Sequence, residues 1–146
     1  MDNRKEEAIP LITINHNTKQ YELNPTAFKF IEELSSPIAV IGVTSHHRTG
    51  KAYLLNKVIL NQNFGFGMGA SFNPCTKGIW IWPKSLKAQT SDGKIVNLIV
   101  IDSEGIGSTD QDNYSDDSNI FALVLMISSM FIYNSVGAID DTSLSN

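Results

Sequence analysis

The sequence predicts an α/β domain with a mainly parallel central sheet and helices on both faces. Three observations carry that prediction. Residues 38–41, Ile-Ala-Val-Ile, form a short apolar run bounded by Pro37 and Gly42, which suits a strand buried on both sides. Residues 97–101, Asn-Leu-Ile-Val-Ile, form a second such run and end at Asp102. Each run is followed by a helical pattern, from about Lys51 after the first, and through Ile120, Leu123, Val124, Ile127 and Met130 after the second.

Before the first run, residues 9–14 and 21–23 flank the polar stretch 15–20 and predict a small hairpin. Asn24 then caps a helix with Pro25 at its first position, and Phe28, Ile31 and Leu34 give it a buried face. Ser36-Pro37 ends it. Residues 1–36 therefore read as the N-terminal hairpin and helix of a domain whose main part is residues 37–146.

Residues 61–76 are rich in Asn, Gly, Phe and Met, with Gly65, Gly67 and Gly69 on alternate positions, and predict a mobile loop. Residues 79–82 and 95–101 predict an antiparallel pair, with Ser91-Asp92-Gly93 supplying turn chemistry, as the one antiparallel strand of the sheet. On the first of these strands Trp80 and Trp82 share one face while Ile79 and Ile81 share the other. Both Trp residues are therefore expected in the core. Asp117 or Ser118 is the expected cap of the last helix.

Of the 146 residues 42% are hydrophobic and 18% charged, a composition that fits one globular domain or part of one. A net charge of -4 argues against nucleic acid as a partner and against a basic membrane-binding patch, since both roles need clustered Lys and Arg. Cys75 is the single cysteine, so no internal disulfide forms. The polar start, Met1-Asp2-Asn3-Arg4, does not read as a secretory signal, and no apolar stretch is long enough to span a bilayer. The expected location is cytoplasmic.

Chemistry concentrates at the ends of the two buried runs. Arg48-Thr49-Gly50-Lys51 follows the first and opens a helix, the junction at which backbone N–H groups and a Lys bind phosphate in the GxxxxGK(S/T) loop of P-loop NTPases. In strict register Ser45 stands at the first Gly and Ala52 where a hydroxyl would ligate Mg²⁺. Alternatively Gly42 is that first Gly and the loop is enlarged. A solvated strand-to-helix turn is the competing reading. Asp102-Ser103-Glu104-Gly105 closes the second run, where an Asp can hold Mg²⁺ through water and Gly105 would let the backbone approach a terminal phosphate. Taken singly, it is also an ordinary strand end. Thr76, in the loop before a strand, can reach Mg²⁺ if bound nucleotide orders that loop; otherwise it is a loop Thr without a task. His46 and His47 have no partner at metal-ligand spacing on their own element, so they read as loop residues of the candidate nucleotide site.

Four segments occur in order: Arg48-Thr49-Gly50-Lys51, residues 74–82 (Pro-Cys-Thr-Lys-Gly-Ile-Trp-Ile-Trp), Asp102-Ser103-Glu104-Gly105-Ile106, and residues 128–135 (Ser-Ser-Met-Phe-Ile-Tyr-Asn-Ser). Together they resemble the GTPase domain of guanylate-binding-protein and atlastin-type large GTPases of the dynamin superfamily. The resemblance runs from about Pro10 onward. It implies a P-loop fold, here without its C-terminal part, that binds GTP or GDP with Mg²⁺ and hydrolyses GTP. It assigns Lys51 to the β- and γ-phosphates, Thr76 to Mg²⁺ in the first switch, and Asp102 with Glu104 and Gly105 to the second. Arg48 matches the family's internal arginine finger. The catalytic set is thus Arg48, Lys51 and Thr76, and the nucleotide-binding set adds Ser45, His46, His47, Thr49, Gly50, Ala52, Asp102, Glu104 and Gly105. A nucleotide-dependent homodimer, and peripheral membrane association in full-length members, are also implied. The alternative is a truncated, non-catalytic relative that acts as an interaction module through the same face, as Ala52, Ser45 and the expected lack of the family's base-reading segment would favour.

Overall fold

A computed structural model describes residues 7–15, 17–45, 50–63, 65–66, 78–104 and 114–135. Strand β1 (Ile9–Ile14) and strand β2 (Tyr21–Leu23) form the expected hairpin, with Ile12 opposite Leu23 and Ile14 opposite Tyr21. Its turn is an Asx turn: the Asn15 side-chain oxygen accepts from the amides of Asn17 at 3.0 Å and Thr18 at 3.2 Å. Asn24 caps helix α1 (Pro25–Glu32), accepting from Thr26 N at 2.9 Å and Ala27 N at 3.4 Å. The buried face of α1 differs from expectation. Ala27 is buried and Phe30, Ile31 and Leu34 pack beside it, whereas Phe28 is 44% exposed. Phe28 lies about 100° round the helix from Ala27, and Ala27 is the residue in line with Ile31 and Leu34.

The remaining strands are β3 (Ile38–Ser45), β4 (Gly78–Ile81), β5 (Leu86–Gln89), β6 (Ile95–Glu104) and β7 (Met130–Asn134). They complete a seven-stranded sheet of order β2-β1-β4-β6-β3-β7, with β5 also paired to β6. Parallel pairing is confined to β6, β3 and β7; every other pairing is antiparallel. The expectation of a single antiparallel strand is thereby corrected. The chain from Gly78 to Gln89 runs once along β6, from Gly78 opposite Glu104 to Gln89 opposite Ile95, and Pro83 breaks it into β4 and β5 because it has no N–H to donate. The Trp82 amide still donates to Val100 O at 2.9 Å. Gly93, at φ 86°, makes the turn between β5 and β6.

Strand alternation divides the core between the two faces of the sheet. On one face Ile79, Ile81, Ile99 and Ile101 pack with Ala27 of α1 and with Ile120 and Val124 of helix α3 (Tyr114–Ile127). On the other, Val43, Val100 and Trp82, with Trp80 and Ile41 beside them, pack against Leu55 and Leu60. The Trp residues are core, as expected, and helices cover both faces.

Helix α2 starts with Lys51–Tyr53 and continues over Leu54–Ile59 in π geometry, where Leu60 N donates to Leu55 O at 2.9 Å. The wider turn places the fully buried Asn56 beneath residues 65–66. Asn56 holds Phe66 there, and Phe66 packs on Trp82 with ring centroids 6.3 Å apart. The start of the expected mobile loop is therefore anchored; residues 67–77 lie outside the described residues.

Helix α3 begins at Tyr114, earlier than expected, and carries Asp116 and Asp117 in its first turn, where they favour the positive end of the helix dipole. Ile120 and Val124 face the core, but Ile127 is 42% exposed, and Met130, 59% exposed, opens β7 instead of extending the helix. Ser129 turns the chain into the sheet. Its amide donates to Val40 O at 2.8 Å, and its hydroxyl accepts from Val40 N at 3.0 Å. Among the described residues no helix is long and apolar enough to cross a membrane.

Candidate functional site

The site lies where the parallel strands β3 and β6 end side by side. Val43 pairs with Asp102, so Thr44 and Ser45 of β3 stand level with Ser103 and Glu104 of β6. Ligands of α/β sheets bind at this carboxyl edge. Ser45 is the last residue of β3, buried, and opposite Asn134 of β7. That placement corrects the enlarged-loop alternative. Gly42 sits inside β3, between Ile101 and Phe131, and serves packing: a Cβ there would come within 1.9 Å of Ser128 Oγ and 2.8 Å of Val124 Cγ1 of the α3 turn. The strict register, with Ser45 at the head of the loop, is the one the strand geometry supports.

Gly50 precedes α2 at φ 77°, a left-handed conformation open to Gly at little cost, with open space around a Cβ. Its conformation, not its size, is what the junction uses. Lys51 then begins the helix and reaches back across the strand ends. Its Nζ lies 2.9 Å from Asp102 Oδ1, and it donates to the Ser103 carbonyl oxygen. The Asp102 side chain is fully buried and that of Lys51 is 15% exposed. The approach is an ion pair without hydrogen-bond alignment, and neither Asp102 oxygen accepts a hydrogen bond among the described residues. Removing one partner of such a pair leaves a buried charge uncompensated, at a cost of about 3–5 kcal/mol.

The structure thus joins the two strand-end motifs through Lys51 and Asp102. Ala52 is half-buried on α2, and Glu104 is paired in β6 opposite Gly78. His46, His47, Arg48, Thr49, Thr76 and Gly105 lie outside the described residues. Thr44, which the sequence did not single out, braces the two strand ends and does not face the Lys51–Asp102 pair. Its hydroxyl meets that of Ser103 on the sheet face opposite the Lys51–Asp102 pair, and both residues are buried. The signal was available in strand alternation, which puts Thr44 on the same side as Gly42 and Ser103 on the same side as Ile101. In the Phe-Ile-Tyr-Asn segment, burial pushes the Tyr133 phenol above the ordinary tyrosine value, and its ring packs on Phe121 at 6.2 Å.

A carboxylate with both oxygens free of hydrogen bonds suits a cation, and Mg²⁺ is commonly held by one or two carboxylates with phosphates and water. Among the described residues no group of three His, Cys, Asp or Glu forms a protein-only metal cage. Asp102 would hold such an ion only together with phosphates and water.

A mixed sheet covered on both faces, with a strand-Gly-Lys-helix junction beside an acidic strand end, defines an α/β domain of the P-loop class. Residues 18–146 match the family model described as "Guanylate-binding protein, N-terminal domain". Guanylate-binding protein 2 of Homo sapiens is 35% identical over 137 residues, which covers 92% of this chain and 22% of that protein. Guanylate-binding protein 6 of Pongo abelii is 34% identical over 146 residues, 99% of this chain and 22% of that protein. Guanylate-binding protein 1 of Homo sapiens is 34% identical over 135 residues, with 92% and 22% covered. The chain belongs to the guanylate-binding-protein family, and it spans 22% of the length of these relatives.

Proposed function

We propose that this chain carries the phosphate- and Mg²⁺-binding part of a large GTPase that binds GTP or GDP and hydrolyses GTP. The observation that supports it most is the meeting of Lys51 and Asp102 at the ends of β3 and β6. In this reading Lys51 places its charge on the β- and γ-phosphates, as a point charge on a helix start. Asp102 would hold Mg²⁺ through water, and Thr76 would add an oxygen ligand. Bound Mg²⁺ would neutralise the charge of the β- and γ-phosphates. Glu104 and Gly105 follow the terminal phosphate, and Arg48 stabilises charge that develops on the bond being cleaved, a contribution of about 10³ to 10⁵ in rate where such an Arg acts. A cytoplasmic location, a nucleotide-dependent homodimer and membrane association in longer members belong to the same proposal.

A second reading, an interaction module without turnover, is favoured by Ala52, which has no hydroxyl for Mg²⁺, and by Ser45 at the usual Gly position. One assay separates the two. GTP, GDP and ATP are titrated with and without Mg²⁺, and phosphate release is followed in the same samples. Mg²⁺-dependent nucleotide binding, with phosphate release from GTP, is expected. Binding without release favours the module, and no Mg²⁺-dependent nucleotide binding overturns the GTPase reading.

A further inference from the structure

Two demands fall on one ammonium group. Nucleotide binding asks Lys51 to serve phosphate oxygens, yet in the structure its Nζ lies 2.9 Å from Asp102 Oδ1 and donates to the Ser103 carbonyl. Asp102 is fully buried, and Lys51 is its ion-pair partner among the described residues. A buried carboxylate stripped of its counter-charge is costly. Phosphate alone would therefore draw Lys51 away at the expense of Asp102, and a divalent cation alone would compete with Lys51 for Asp102. Together they satisfy both halves.

We propose that Asp102 holds Lys51 as an internal counter-ion that opposes nucleotide binding in the absence of metal, and that Asp102 exchanges Lys51 for a divalent cation when nucleotide arrives. This rests on the reading of the junction as a nucleotide site and adds to it the way the site is regulated. Metal and nucleotide are then coupled through a single side chain, and the coupling is reciprocal. The ion pair keeps the empty site closed to free phosphate compounds, and the cation releases it.

The test is a calorimetric titration of GDP into the full chain, in EDTA and in MgCl₂, for the wild type, Asp102→Asn, Lys51→Met and the double variant. In EDTA, Asp102→Asn should bind GDP about tenfold more tightly than the wild type, the least expected when a close charge pair is uncoupled. In the Lys51→Met background the same change should gain only about threefold, the relief of simple repulsion through solvent. An equal gain in both backgrounds, or none in either, overturns the proposal. If the wild type binds GDP in neither condition, the nucleotide-site reading itself falls, and the proposal with it.

Acetylation of the apo protein, quantified by mass spectrometry, gives a readout independent of GDP affinity. Lys51 should react about tenfold more slowly in the wild type than in Asp102→Asn. Equal rates overturn the proposal. Circular dichroism checks folding, and Asp102→Ser replaces Asp102→Asn if the latter does not fold.

Discussion

Asn56 clamps the backbone of Phe66 from both sides: its Nδ2 donates to the Phe66 carbonyl at 3.0 Å, and its Oδ1 accepts from the Phe66 amide at 2.8 Å. Both residues are buried. Asn56→Ala would leave a buried donor and a buried acceptor of the Phe66 backbone unpaired, each worth about 1–3 kcal/mol. Urea denaturation should therefore register a loss of about 2–6 kcal/mol. A loss below about 0.5 kcal/mol, the level of an ordinary surface change, would show that the clamp is not holding the loop.

Gly42 gives a second prediction, because the α3 turn occupies the space of its missing Cβ. Gly42→Ala should destabilise by about 1–3 kcal/mol through overpacking. Trimming the obstacle with Ser128→Gly in the same chain should restore part of that loss, since the nearest atoms include Ser128 Oγ and Cβ. Thermal unfolding of both variants decides it; equal loss with and without Ser128→Gly would contradict the packing role.

Much of this architecture was legible in the sequence, for reasons specific to each element. The hairpin, the Asn24 cap and the two Trp residues rest on local chemistry and strand alternation, which do not depend on the rest of the chain. Strand β5 was not legible. Leu86-Lys87-Ala88-Gln89 has one large apolar residue and forms only because β6 offers it a free edge beyond the break at Pro83. The exit from α3 was missed for a similar reason: an apolar stripe through Met130 looks continuous until Ser129 is pulled onto Val40 by two hydrogen bonds. At the site, both strand-end motifs were visible as separate loops. Their union through Lys51 and Asp102 depends on β3 and β6 being parallel neighbours in a register that no local pattern encodes.

Ala52 supplies a prediction about metal. It follows Lys51 on α2, where P-loops carry the hydroxyl that ligates Mg²⁺. Water in that position is a poorer anchor for an octahedral ion than a hydroxyl fixed on a helix. Ala52→Ser should tighten GTP binding about tenfold or more in MgCl₂, on the order of one hydrogen bond to a charged group. The gain should vanish in EDTA. A folded Ala52→Ser protein with unchanged affinity in MgCl₂ would favour the interaction module.

In the proposed function the Lys51–Asp102 junction receives the nucleotide phosphates. Its most direct test is the affinity of GDP in MgCl₂ for the wild type against Lys51→Ala, with both proteins shown to be folded by near-ultraviolet circular dichroism. The wild type should bind saturably and the variant about a hundredfold more weakly, since backbone N–H groups cannot replace the ammonium charge. Equal affinity in a folded Lys51→Ala protein would contradict the proposal and put the phosphates elsewhere.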